Sequence, residues 1–253
     1  MARSLEELRE YLVGEWNFNL NFLDSSGNEN HGVPTDIEWK PTARGLKPYF
    51  SSGRFVNCGK TTVPDTFTIH MIVNFMSKEH AETIVHINNT LWIASRITGH
   101  DMYFQLFDND GNVVVDEGYV SMYPIGNYKD KTISFTVSVG NNEMDLYLDG
   151  KHKHTINITG DINPNENDFY IGRRQNSTYW HNGFIHHVSY YKNVKFTDDE
   201  VLALYNETKN AVGVRPAERS FTHRLQPDVD DNTVFATDMS TKNSDGTLMD
   251  LSW

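Results

Sequence analysis

Thr132-Ile-Ser-Phe-Thr-Val-Ser-Val139 is followed by Gly140-Asn-Asn142, Met144-Asp-Leu-Tyr-Leu148, Asp149-Gly150 and His152–Ile158. Ile133, Phe135, Val137 and Val139 alternate with hydroxyl side chains. A period of two fits a half-buried strand and no helix. Asn-Asn and Asp-Gly supply the positive φ angles that two-residue hairpin turns require. The stretch therefore reads as strand, turn, strand, turn, strand.

The same signals extend in both directions. Phe67–Phe75, Thr83–Ile87, Leu91–Ile97, Met102–Phe107, Val113–Val115, Phe169–Ile171 and Phe184–Tyr191 are rich in β-branched and aromatic residues, and Asp108-Asn-Asp-Gly111 marks a further hairpin. Near the start, Trp16, Phe18, Leu20 and Phe22 alternate with Asn17, Asn19 and Asn21, which predicts a strand. Short strands punctuated by Gly, Asn and Asp about every 8–12 residues indicate an all-β sandwich or barrel. Alternation nominates Trp16, Phe18, Phe67, Ile69, Phe135, Val137, Leu146, Leu148, Ile185 and Val188 for its core. Two capping boxes interrupt the pattern. Ser4-Leu-Glu-Glu7 predicts a short helix over about 4–12, ended by Gly14. Thr197-Asp-Asp-Glu200 predicts a turn and a half, with Val201, Leu204 and Tyr205 on one face.

This divides the chain into an N-terminal helix (1–13), a β domain (14–210), a linker (211–230) holding Pro216 and Pro227, and a C-terminal extension (231–253). The extension repeats the domain start. Asp24–Trp39 aligns without gaps to Asp238–Trp253, with Asp, Ser, Gly, Asp and Trp coinciding. One strand and one loop cannot satisfy their own backbone groups. The extension is therefore expected to pair with a neighbouring subunit, giving an oligomer or a link to a larger assembly.

Composition excludes several classes. With 38% hydrophobic and 22% charged residues, the 253-residue chain is too apolar for disorder, and no run approaches the ~18 apolar residues of a membrane span. Met1–Glu10 is charged and lacks the apolar core of a secretion signal. Twenty-two basic against 34 acidic residues give −12, which argues against nucleic acid or an anionic membrane as partner. A single cysteine, Cys58, precludes an intramolecular disulfide and a multi-cysteine metal cluster. The Asn-x-Thr triplets at Asn88, Asn157, Asn176 and Asn206 read as products of an Asn-rich chain.

Several stretches, in order, resemble a laminin-G-like domain of the concanavalin A-like lectin/glucanase superfamily. They are the Asp24–Gly32 loop, Phe67–Phe75, Leu146-Tyr-Leu-Asp-Gly-Lys151, Ile171-Gly-Arg-Arg174 with Trp180-His-Asn-Gly-Phe-Ile185, and Val188–Asn206. The resemblance covers about 13–208. It implies a jelly-roll sandwich of two antiparallel sheets, with a short N-terminal helix and a C-terminal extension around it.

Fold does not fix function, so each candidate site is weighed on its residues. The superfamily's β-glucanases carry E-x-D-x-x-E on one strand. Here the match is Glu143-Met-Asp145-Leu-Tyr-Leu148, so the second catalytic carboxylate is a leucine and an endo-β-glucanase is disfavoured. Asp24, Asn28 and Asn30 offer oxygen ligands of the kind Ca²⁺ takes. In relatives this loop binds calcium with an Asp from a late G-x-I-D-D strand, which here reads Gly183-Phe-Ile-His186-His187. His152 and His154, two apart on a strand, share a face, while His186 and His187 point to opposite faces. Neither pair has the third ligand of a transition-metal site.

Sugars stack their C–H faces on aromatic rings. Trp92, Tyr103, Phe107, Tyr119, Tyr123, Tyr128, Tyr179 and Trp180 are the candidates, with Tyr179, Trp180 and Asn182 the best placed. The resemblance sets Tyr179–Asn182 and Asp24–Asn30 near one sheet end. The resulting expectation is a non-enzymatic virion component (a phage tail, fibre or capsid decoration) assembled in the host cytoplasm. It would hold neighbouring virion subunits through 231–253 and could contact a host surface glycan. The alternative is a free carbohydrate-binding module or lectin of a bacterial surface protein.

Overall fold

A computed structural model describes residues 2–76, 82–95, 101–115, 119–121, 132–175 and 179–211. Two antiparallel sheets form the domain. The first holds β13 (Lys151–Asn157), β12 (Glu143–Leu148), β11 (Thr132–Gly140), β6 (Phe67–Phe75), β15 (Gly183–Lys192), β4 (Gly45–Phe50) and β3 (Glu38–Thr42) in that order, while β1 (Leu12–Trp16) pairs with β15 off this path. The second runs β10 (Tyr119–Ser121), β9 (Asp101–Leu106), β8 (Leu91–Ser95), β7 (Glu82–Ile87), β14 (Asn167–Ile171), β5 (Phe55–Thr61) and β2 (Val33–Thr35).

Hairpin chemistry sets the register. Asn141 and Asn142 (φ 57° and 60°) turn β11 into β12, and Asp149 and Gly150 (φ 48° and 73°) turn β12 into β13. That register places Phe135, Val137, Leu146 and Leu148 on the same face as Phe67 and Ile69 of β6. With Trp16, Phe18, Ile185 and Val188 they join one buried cluster between the sheets, which Ile93, Phe104 and Phe169 complete from the second sheet. This is the jelly-roll sandwich that the alternation implies.

Three boundaries differ from expectation. The first strand stops at Trp16, because Phe18 and Leu20 take positive φ (49° and 60°). The chain instead coils around the ammonium of Lys47, which donates to the Asn17 and Phe18 carbonyls and to Asn19 Oδ1. Phe18 stays buried and Leu20 is exposed. Burial, then the nearby Arg44, lowers the Lys47 pKa to about 8. The N-terminal helix is only α1 (Leu5–Leu8), continued as a 3-10 turn over Arg9–Tyr11. The second helix is longer than a turn and a half. It runs as α2 (Asp198–Ala211) because Leu8, Tyr147, Tyr191, Val194 and Phe196 give its Val201 and Leu204 a long apolar seam. The rest of the 211–230 linker and the 231–253 extension fall outside the described residues.

α2 covers the outer face of the first sheet. Thr68, His70, Thr136, Ser138, His187 and Ser189 alternate with core residues and so point away from the sandwich, yet all are buried. They bond to one another and to what covers them. His70 Nδ1 meets Thr136 Oγ1 at 2.8 Å, and its Nε2 meets Thr208 Oγ1 on α2 at 2.9 Å. His187 meets Asn17 Oδ1 at 2.8 Å and Ser189 Oγ at 3.2 Å. Arg3 ties the N-terminus to α2 through Glu200, at 2.8 Å.

Candidate functional site

The outer face of the second sheet is built differently. Cross-strand register sets Gln105, Trp92, His86, Tyr170 and Asn57 in one row across β9, β8, β7, β14 and β5. Their neighbours along each strand, among them Ile93, Phe104, Ile87, Phe169 and Val56, belong to the core, so alternation turns the row outward. Just past β14, Gly172 has φ +87°, and a Cβ there would collide with the Phe50 ring. That sharp glycine turn sends Arg173 and Arg174 onto the row. The backbone then returns. Arg173 bridges to Trp180, and the Arg174 N–H donates to the Tyr179 carbonyl at 3.2 Å.

Both guanidiniums stand over aromatic rings. Arg173 stands 4.1 Å from the Phe55 ring centroid, 5.1 Å from Tyr170 and 5.7 Å from Trp180. Arg174 stands 4.2 Å from Trp92, which also packs on Tyr103 (4.6 Å) and Tyr179 (5.5 Å). The Trp92 indole N–H donates to Thr83 Oγ1 at 2.9 Å. His86 sits under both arginines. Burial first, then their two charges, lowers its pKa to about 3, so it is a neutral ring that accepts from the Gln175 N–H.

The structure brings Tyr179 and Trp180 to this surface, Tyr179 exposed and Trp180 half-buried. Asn182 is a joint of the scaffold instead. Its Oδ1 accepts from the Tyr49 hydroxyl at 2.9 Å, and its N–H donates to Glu82 at 3.1 Å. Trp92 and Tyr103 join the surface. Phe107 bridges to Val113 in the Asp108–Gly111 hairpin. Tyr123, Tyr128 and the side chain of Tyr119 lie outside the described residues. Phe55, His86, Tyr170, Arg173 and Arg174 were missed in the sequence. The signal was present: each aromatic or histidine occupies the off-core position of its strand, and Ile171-Gly-Arg-Arg174 puts both cations at a strand end.

The Asp24–Asn30 loop is elsewhere. Asn28 and Asn30 donate to the Leu12 and Val13 carbonyls, beside Tyr190 and Tyr191 at the far end of β15. Tyr179–Asn182 precede Gly183 at its start, on the order of 20 Å away along a strand of this length. The two loops are not neighbours. Asp24 does not fit a calcium ion. Oδ1 accepts from the Glu15 and Ser26 N–H groups, and Oδ2 accepts from the Ser26 hydroxyl and the Asn30 N–H. A carboxylate ringed by four donors serves as a loop anchor, and the neighbouring amides present N–H groups inward.

His152 and His154 do not share a face. A bulge at Lys153 pairs His154 with core residue Leu146 and His152 with outward Tyr147. A second bulge at His186 sets that ring on outward Phe184, at 6.1 Å, and leaves His187 opposite outward Ile72. Both therefore lie on the outer face of the first sheet, with pKa values lowered by burial to about 3 and about 4. One inserted residue reverses the alternation in each case.

Asp145 borders a cleft of about 670 Å³ beside the start of α2, lined also by Tyr147, Lys195 and Asp198. Lys195 reaches Asp145 at 2.7 Å and Glu143 at 3.2 Å, and Tyr147 donates to Asp198 at 2.9 Å. Burial works against ionisation of Asp145, but the bonds from Lys195 and Thr155 outweigh it and hold the carboxyl below its usual range. Leu148 is buried in the core.

A laminin-G-like family model, described as the concanavalin A-like lectin/glucanases superfamily, matches residues 51–202, more than half of the chain. The chain belongs to that superfamily. No curated protein matches it by sequence. Among solved structures, superfamily-like folds recur at low identity. Domain 4 of AbnA, an extracellular GH43 arabinanase from Geobacillus stearothermophilus solved with arabinotriose, is 15% identical with a TM-score of 0.61, covering 77% of this chain and 98% of that one. A botulinum neurotoxin type C structure, from a toxin whose cell entry depends on two ganglioside molecules, is 18% identical (TM-score 0.63; 81% and 53% covered). The binding domain of botulinum neurotoxin DC in complex with rat synaptotagmin II is 17% identical (0.58; 79% and 52%). The chain spans about half the length of the toxin chains. At these identities the likeness shows the fold alone.

Proposed function

We propose that the domain is a non-enzymatic glycan-binding module that uses the outer face of its second sheet. The carrying observation is the Tyr179–Trp180 turn set beside arginines and rings on that face. Flat apolar surfaces with planar polar groups at their edges suit sugar rings and their hydroxyls. The glycan-linked and protein-linked neighbours are compatible with that use of the fold. Against catalysis stand Leu148 in place of a carboxylate and Lys195 clamped on Glu143 and Asp145. We also propose that binding needs no Ca²⁺, since the donors around Asp24 leave no lone-pair cage for it. A glycan array probed with the full chain tests the reading. Wild type should retain ligands in chelator, and Trp180→Ala should lose them. An array bound equally by both would sink it.

The wider setting we propose is a virion, as an adhesion component docked to neighbouring subunits through 231–253. The likeness of the Asp238–Trp253 sequence to Asp24–Trp39 supports this, since a copy of one strand and loop would need pairing partners from elsewhere. The full chain should assemble in solution and a chain ending at 215 should be a monomer, as read by light scattering. If both are monomers and the full chain still binds glycan, the free lectin reading holds instead.

A further inference from the structure

Among the described residues, no carboxylate pairs with Arg173. Arg3, Arg9 and Arg54 each meet a glutamate carboxylate. The Arg173 guanidinium instead meets the faces of Phe55, Tyr170 and Trp180, which offer no strong acceptor. Its Nε is buried and has no hydrogen-bond partner. The Asp168 carboxylate, two residues before Tyr170 on β14, accepts from the Tyr170 hydroxyl at 3.4 Å. The sequence has acids to spare, 34 against 22 bases, yet among the described residues none pairs with this arginine. Arg174 adds a second positive charge next to it, and the neutral His86 beneath supplies no counter-charge.

Resting on the glycan-binding reading above, we propose that the Arg173 cage takes the carboxylate of an acidic sugar residue. A guanidinium holds its N–H donors in a fixed planar fork, and a carboxylate accepts two parallel bonds from such a fork. The pyranose carrying that carboxylate has an apolar C–H face to lay on Trp180 or Tyr179. Charge, ring and spacing thus select one ligand chemistry: an anionic group attached directly to a sugar ring. The overall charge of −12 makes the selection local, because the rest of the surface repels such a ligand.

The test is calorimetric titration of the full chain with lactose, sialyllactose, a glucuronate oligosaccharide and sulfated lactose. The carboxylate sugars should bind about tenfold or more tightly than lactose, the step that one charged hydrogen-bonded contact supplies. That preference should shrink with added salt, while lactose binding holds steady. Arg173→Gln should abolish the preference without moving the thermal midpoint, and Arg173→Lys should restore part of it. The salt dependence of wild type stands even if a variant misfolds. Equal binding of lactose and the acidic sugars, or a preference that survives Arg173→Gln, overturns this inference and leaves the glycan-binding reading intact. Binding of the sulfated sugar alone also overturns the carboxylate assignment. No binding of any of the four removes both.

Discussion

On the outer face of the first sheet, His70, Thr136, Ser138, His187 and Ser189 are buried and hydrogen-bonded beneath the chain's own helix and N-terminal loop. On the outer face of the second, Arg173 lies on three rings with its Nε unsatisfied. Both faces arise from the same alternation, with one side chain in two turned away from a common core. The cluster around His70 and His187 has its polar groups matched in place by Thr208, Asn17 and the carbonyls of Val194 and Phe196, while the Ser134 hydroxyl and His186 Nδ1 elsewhere on that face are buried without a partner among the described residues. That bonded cluster contributes stability and has no spare donor for a ligand. The second face retains an unmatched cation on apolar support, the usual makeup of a recognition surface. The contrast teaches where to look on a sandwich whose strands all read alike: at a half-buried cation left on aromatic rings rather than at the bonded cluster beneath α2.

Acid should separate the two faces most strongly. On the outer face of the first sheet, burial holds the pKa of His187 at about 4 and that of His186 at about 3, and keeps His70 well below its usual value; on the second face it holds His86 at about 3. Each folded pKa is below the unfolded one near 6.5, so the unfolded chain binds protons first. Stability is therefore full above pH 6.5, falls as pH drops below it, and goes on falling toward pH 3–4. Each ring can cost on the order of a few kcal/mol at saturation. Urea denaturation between pH 7 and 4 should show the midpoint dropping steadily, and a flat profile would mean the cluster is solvated.

Leu204→Ala removes the seam of α2 and should cost about 2–5 kcal/mol in denaturant titration, because the pocket lined by Tyr147 and Phe196 cannot close. A loss under about 1 kcal/mol would mark α2 as an ornament rather than the cover of the first sheet. Thr208→Val leaves His70 Nε2 buried without its partner and should cost roughly 1–3 kcal/mol, with glycan binding unchanged. The smallest effect on stability belongs to the other face. Arg173→Gln should shift unfolding by less than about 0.5 kcal/mol, since the residue pairs with no charge. A large loss there would place it with the bonded cluster and erase the contrast.

Much of the fold was legible because the central strands alternate cleanly and their turns carry Asn-Asn or Asp-Gly. Phe135, Leu146 and Ile185 could be assigned to the core from period alone. The edges were not. β2 to β5 hold Pro34, Pro41 and Pro48 and bury only some of their residues, so their pattern is weak. Phe18 and Leu20 keep period two in sequence while the backbone abandons it, because Lys47 draws the asparagines around itself. The bulges at Lys153 and His186 are silent in the sequence and reverse two histidine assignments. Half of the candidate site was readable: Tyr179 and Trp180 stood out as aromatics after a polar turn. Arg173, His86 and Tyr170 required knowing which strands are adjacent, which periodicity does not reveal.

The central claim is that ligand meets the outer face of the second sheet. Trp92 and Trp180 line that face, while Trp16 is buried in the sandwich with its indole N–H on the Asn30 carbonyl at 2.9 Å. Two-dimensional NMR of the ¹⁵N-labelled indoles during titration with sialyllactose reads all of them at once. The account predicts that the Trp180 signal moves most, Trp92 follows, and Trp16 stays still. Movement of Trp16 without Trp180, or a titration in which no indole signal moves, would contradict it.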